Sequence, residues 1–501
     1  MLQRPRNIPA LLAGILLVLG LACTAKQGSE PIVDSFDTPD TVTDDLANTA
    51  DVVPSLDDGN HIGPVPEYSQ TAGDPELGYA ALVNNGYVSC GIPKSLSHLI
   101  YMGVESDRIP GRNEQNADMP YFWTAITSKT GVELIVGNCL ACHAGRFNGE
   151  VIIGLGDTRR DYTEDFSTVL TTALAFSSTL VSSEEELAEF EKFVTRAQAL
   201  APYSMTMTKG LNPAISITAG IMEHLNPVTL SWSEEPILDV PAAYKEHVGG
   251  LSVPPWWWHK KKNAMFYTAS GVGNHVAWAM LASSMCIEGE EQAEEIASYF
   301  PDILAYIDSI EPPEFPWPID ADLAAAGRNE FEKNCSSCHG TYGEDGTYPN
   351  RVVHIDEVGT DPELAVLMFE ADAFHQWMDD SYYGQHSWAR PAMGYIAPPL
   401  DGVWATAPYL HNSSIPTIAA LLESPTRPTC WSWSYDTTDY NPATLGWNFQ
   451  ETSCHDVITD SAEKKTIYDP SHFGYGNQGH NFGDSLLPEA RSAILEYLKT
   501  L

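Results

Sequence analysis

Residues 138–145 read "NCLACHAG", and residues 334–340 repeat the plan as "NCSSCHG". Two thiols three residues apart can add across the two vinyl groups of one haem and leave the next imidazole over the iron. This is the covalent attachment signal of c-type haem. The first copy offers Cys139 and Cys142 as thioether donors with His143 as axial ligand. The second offers Cys335, Cys338 and His339. Two covalently bound haem c groups are expected.

Other uses of the spacing fit less well. A redox Cys-x-x-Cys has no need of the following histidine and expects a βαβ context. A zinc ribbon pairs two Cys-x-x-Cys knuckles, but about two hundred residues separate these two and each ends in histidine. The first residues favour haem as well. "MLQRPRNIPALLAGILLVLGLACTA" has a basic start (Arg4, Arg6), an apolar run from Leu11 to Leu21 and small residues before Cys23, the layout of a secretory signal. Cys23 after "GLA" is placed as in a lipobox, where the cysteine is acylated, although Gly20 stands where leucine is usual; a plain signal cleaved nearby is the alternative. Export to the periplasm, as an outer-membrane lipoprotein or to the outside, is expected either way, with the membrane touched only through that anchor.

With Cys23 and the four haem cysteines set aside, Cys90, Cys286, Cys430 and Cys454 remain, an even number for an oxidising compartment. Three pairings are open. Cys430 with Cys454 is the local staple, and Cys90 with Cys286 would then tie distant parts of the first half. The 26 basic against 67 acidic residues give a formal net charge of -41. That excess argues against nucleic acid or anionic lipid as a binding surface and suits a small basic redox partner or electron donor.

Along the chain, residues 1–23 read as the signal and 24–70 as an acidic, disordered tether poor in large apolar residues. Residues 71–315 read as a first c-type haem domain and 316–501 as a second cytochrome c domain, divided by the proline cluster Glu311–Leu323. Ser183 and Glu186 form a capping box ahead of Leu187, Phe190, Val194 and Ala197 on one helical face. Leu323, Gly327 and Phe331 lead into Cys335, and Gly327 allows close crossing by the terminal helix Pro488–Leu501. No long alternating series marks a sheet. The fold class expected is mainly α, with two cytochrome c-like haem domains, long loops and little β.

Two such motifs followed by "PPLDGVWATAPYLHNSSIPTI" (Pro398 to Ile418) resemble the bacterial di-haem cytochrome c peroxidase superfamily, which includes the di-haem enzyme of methylamine utilisation. "LVNNGYVSCGIP", "NCLACHAGRFNGEVIIGLGD", "VPPWWWHKKKNAMFY" and "GNQGHNFG" resemble its rubber-oxygenase branch. The resemblance implies one haem open to O2 or H2O2 and a six-coordinate haem that relays an electron, often with a tryptophan between them. By chain position His143 belongs to the reactive centre and His339 to the relay. Calcium between the domains is also implied, with no contiguous ligand motif to support it.

The peroxidase pattern fails at one ligand: the methionine expected fourteen residues after His411 is Pro425. His480 in "GNQGHNFG" matches the branch's distal histidine and is taken as the sixth ligand opposite His339, with Met393 in "RPAMGYIAPP" and His411 as alternatives. In any extended conformation the alternate rings of Trp256, Trp257 and Trp258 face opposite ways and at least one can be buried between domains, with ordinary aromatic core as the alternative; Trp257 and Trp258 are the bridging candidates in catalysis. His275 lies where the branch lines the pocket of the first haem, with a surface or core histidine as the alternative, and Lys260, Lys261 and Lys262 could meet haem propionates, the acidic body or solvent. The function expected is an exported di-haem oxidoreductase of peroxidase or oxygenase type acting on an unidentified organic substrate. The alternative is a pure electron carrier with both haems six-coordinate.

Overall fold

The computed structural model describes residues 63–97, 107–165, 167–245 and 250–501; the signal, Cys23 and the tether up to residue 62 lie outside them. The described residues are 40% helical and 13% strand, with no closed barrel. The fold is therefore mixed, a correction to the mainly α expectation. The missed strands run two to five residues each, too short for a period of two to show in the sequence.

Two helix pairs frame the molecule, and each crosses at a glycine. Asp74 caps helix Pro75–Asn84 by accepting from the Glu76 and Leu77 N–H groups, with proline at the first position. That helix packs on Phe300–Ser309 where Gly78 faces the Asp302 carbonyl. In the second pair, helix Ala321–Asn334 lies on Pro488–Leu498, with Gly327 against the Ala493 carbonyl and Tyr497 Cβ. Ala324, Gly327 and Phe331 form the buried face, whereas Leu323 is exposed, so that face begins one residue later than the pattern suggests. Helix Glu184–Leu200 starts at Ser183, whose hydroxyl accepts from the Glu186 N–H at 3.2 Å while the Glu186 carboxylate accepts from the Ser182 N–H at 2.7 Å.

Short antiparallel strands fill the spaces between. Glu133–Gly137 pairs with both Ile92–Pro93 and Trp123–Thr127, with Ala125 opposite Ile135. The hairpin Ala144–Phe147/Glu150–Ile153 follows His143 directly and turns through Asn148 and Gly149, both at positive φ. Trp431–Trp433 sits between Phe449–Glu451 and Ile467–Tyr468. Residues 63–70, read as the end of the tether, belong to the fold: Gly63–Pro64 pairs with Arg351–Val352, and Val65 is buried.

The apolar cores do not stop at the proline cluster. The larger one gathers residues 81–307 but also Leu364, Phe374, Trp377 and Tyr395. The second gathers Phe331 to Leu498 and takes Phe147, Leu155, Trp257 and Trp258 from the first half. Disulfides join Cys90 to Cys286 and Cys430 to Cys454.

A side chain at 327 has no room between the second helix pair. Gly327→Val should lower stability by about 1–3 kcal/mol through overpacking, read as a lower thermal midpoint of the haem-loaded protein. Leu323→Ala, on the exposed end of the same helix, should shift it by under about 0.5 kcal/mol.

Candidate haem sites

Each Cys-x-x-Cys-His forms one turn of helix, Leu140–His143 in the first copy and Ser336–His339 in the second. The turn returns both thiols and the imidazole to one side. All four cysteines are unpaired, while the other four described cysteines are disulfide-bonded. Burial pushes the Cys139 thiol up to about 11 and Cys335 up to about 12. A catalytic redox cysteine needs the opposite shift, so these thiols suit covalent anchoring.

In the second site the His339 Nδ1 donates to the Pro398 carbonyl at 2.8 Å. That bond fixes the tautomer and leaves Nε2 as the coordinating nitrogen. His480, at φ 49° in a glycine-flanked loop, faces it: the two imidazole centroids lie 6.2 Å apart. A metal–imidazole bond of ~2 Å on each side, with roughly 1 Å more inside each ring, spans that gap. Both rings, Cys335 and Cys338 line a cavity of about 270 Å³ walled by Val353, Leu400, Val403, Leu421, Ile494 and Leu498 among others. Thiols, facing imidazoles and apolar walls together fit a haem.

The rival ligands are placed differently. His411 lines the same cavity, but its ring stacks on Tyr395 at 4.3 Å. Met393 is absent from that lining; its carbonyl accepts from the Ile355 N–H.

The first site shares the motif but differs in what surrounds the histidine. Burial holds the His143 imidazolium down at about 4 and the Pro254 carbonyl pulls the other way, although Nδ1 makes no well-formed hydrogen bond to it. Around the thiols, the Cys139 N–H donates to the Tyr87 hydroxyl at 3.0 Å and Asn212 Nδ2 donates to Cys142 Sγ at 2.9 Å. The ring stacked on His143 is Trp256, 4.8 Å away and 18° from parallel. Among the described residues no imidazole lies against His143 as His480 lies against His339.

The three tryptophans form a 3-10 turn, Trp256–Lys261, so the alternation of an extended run does not apply. Three residues per turn, not strict alternation, set their directions. Trp256 joins the larger core beside His143. Trp257 and Trp258 join the second, both indole N–H groups donating to the Asp401 carbonyl at 2.8 and 2.7 Å. Trp258 also lines the His339 cavity. Of the lysines, Lys260 pairs with Glu311, Lys261 with Asp401, and Lys262 reaches the Phe266 carbonyl, its amine lowered to about 8 by burial.

His275 is buried among polar partners: its Nδ1 lies 3.0 Å from His259 Nε2, and His259 Nδ1 lies 2.6 Å from an Asp308 oxygen. Sequence reading missed this partner pair and the two proline carbonyls. A signal for the latter existed, since a Pro-Pro pair (Pro254–Pro255, Pro398–Pro399) follows each motif, but at unequal distances.

A family model described as RoxA-like, cytochrome c-like matches residues 394–432. That segment contributes Pro398, Asp401 and His411. It indicates a haem protein of oxidoreductase type carrying haem c, and it fits the rubber-oxygenase-like branch. Two proteins of Sinorhizobium fredii are similar: y4iM, 25% identical over 263 residues (44% of this chain, 58% of the relative), and y4iJ, 26% identical over 258 residues (38% and 41%). Both are uncharacterised, and the chain spans about half the length of these relatives.

The facing imidazoles predict that His480→Ala opens the second haem, converting one low-spin haem per chain to high spin in the visible spectrum. Met393→Ala should leave the axial spectrum unchanged. A methionine-to-iron charge-transfer band that vanishes with Met393 would overturn the pairing.

Proposed function

We propose that the chain is an exported di-haem c-type oxidoreductase that uses O2 or H2O2 at the His143 site, with the His339 site as its electron relay. The observation that carries the proposal is the unlike surroundings of two otherwise like motifs. His339 has an imidazole opposite it at 6.2 Å, whereas His143 has an indole stacked on it and no facing imidazole among the described residues. Haem, when bound, supplies the oxygen and one-electron chemistry that no side chain here carries. Ligands on both faces suit electron storage, and a free face suits reaction with a small molecule.

The residues divide the remaining work. Cys139 and Cys142, Cys335 and Cys338 anchor the two groups. The Pro398 carbonyl orients His339 and makes it a stronger donor. Trp256 touches His143 and Trp258 lines the His339 cavity, two residues apart on one rigid turn. Trp257 fills the second core between them, fully buried, so the turn offers a short aromatic path closed to water. Export, supported by the leading sequence and by the two disulfides, and a lipid anchor at Cys23, supported by the sequence, stay part of the proposal. A basic electron donor fits the charge of -41.

Carbon monoxide binding to the dithionite-reduced protein tests the division. His143→Gly should abolish or wholly alter the CO-induced Soret change of the wild type, while His339→Gly should keep it and disturb the low-spin spectrum. The reverse pattern would show the roles exchanged, and a wild type blind to CO would leave only an electron carrier.

A further inference from the structure

Outside the haem sites, three side chains converge where residues 452–472 fold back against strand Trp431–Trp433. One ligating atom from each of His455, Asp469 and His472 lies within 4.8 Å of the other two. His455 and Asp469 are buried and His472 is partly exposed.

The hydrogen bonds fix which atoms are available. His455 Nε2 lies 3.1 Å from the Ile467 carbonyl, and only an N–H can satisfy a carbonyl, so Nε2 carries the proton and Nδ1 presents a lone pair. That lone pair faces His472 Nε2 at 2.7 Å. Asp469 Oδ1 accepts from the Ser471 N–H and hydroxyl at 3.0 and 2.6 Å, while Oδ2 accepts from the His455 N–H at 2.8 Å, a bond that uses one of its lone pairs. Burial opposes the charge on Asp469, but these hydrogen bonds outweigh it and hold the carboxyl below its usual range. Cys454, next to His455, is tied to Cys430, so the loop is held in place and its thiols are not donors.

We propose that His455 Nδ1, His472 Nε2 and Asp469 Oδ2 form a binding site for a divalent transition-metal ion, zinc by preference, with a fourth position open to water beside His472. Two neutral imidazoles and one carboxylate are a zinc donor set, whereas calcium takes six or more oxygens. The carbonyl on His455 Nε2 and the serine on Asp469 are the outer partners that orient metal ligands. Bonds of ~2 Å at a tetrahedral angle place two nitrogens about 3.3 Å apart. Entry of the ion therefore spreads the imidazoles by about half an ångström, a movement the partly exposed His472 allows. The ion takes the place of the proton that His472 Nε2 donates to His455 Nδ1, and that proton moves to His472 Nδ1, so both imidazoles stay neutral. Bound there, it clips Cys454–His455 to Asp469–His472, the segment that continues through Tyr475 to His480.

The test uses the full-length, haem-loaded protein, stripped with chelator, dialysed against micromolar zinc and analysed for zinc relative to haem iron by mass spectrometry. One zinc per chain is expected, with a higher thermal midpoint in zinc than in chelator and no such shift with calcium. His472→Gln keeps an N–H for His455 Nδ1. It should fold with the wild-type Soret spectrum and the melting point of the metal-free protein, and bind zinc roughly 100-fold more weakly. Failure of the wild type to take up zinc at these concentrations, or equal uptake by His472→Gln, would overturn the site and leave a simple histidine–histidine hydrogen bond.

Discussion

The carbonyl of Asp401 accepts hydrogen bonds from two successive indoles, Trp257 and Trp258, while its carboxylate holds Lys261 from the same turn. This clamp ties the turn beside His143 to the core around the His339 cavity. It draws a turn from the first half of the chain into the core of the second, and so sets Trp256 against His143 and Trp258 against the His339 cavity. Buried indole N–H groups need acceptors. One backbone carbonyl has two lone pairs and meets that need for both rings. Rings satisfied in this way have little freedom to turn.

Around this clamp the two halves repeat a plan. In each, a helix pair crosses at a glycine and a one-turn helix carries Cys-x-x-Cys-His. Among the described residues they differ in what stands by the imidazole: His480 faces His339, and an indole stacks on His143. That asymmetry of environment, not of motif, is what separates a relay from a reactive centre in the proposal.

How far the sequence was legible follows from the range of each interaction. The Cys-x-x-Cys-His turns are visible because their chemistry lies within five consecutive residues. The Ser183 cap and the Gly327 crossing are visible because helix periodicity is local. The short strands were missed, since a pair such as Trp431–Trp433 with Ile467–Tyr468 has too few residues to alternate. The conformation of the tryptophan run was not legible, since its acceptor, the Asp401 carbonyl, lies well over a hundred residues away. Likewise nothing near His275 announces His259 and Asp308, and nothing near His455 announces His472. Such contacts are products of the folded chain, and their partners come from separate segments.

Low-temperature EPR of the oxidised, haem-loaded protein, integrated against its haem content, tests the central claim most directly: two haems in unlike coordination. The account predicts two ferric haem signals of equal weight per chain. One is low-spin and indifferent to added imidazole or cyanide, and the other changes its g-values when either is added. Two low-spin signals that both ignore added ligand, or a single haem per chain, would contradict it.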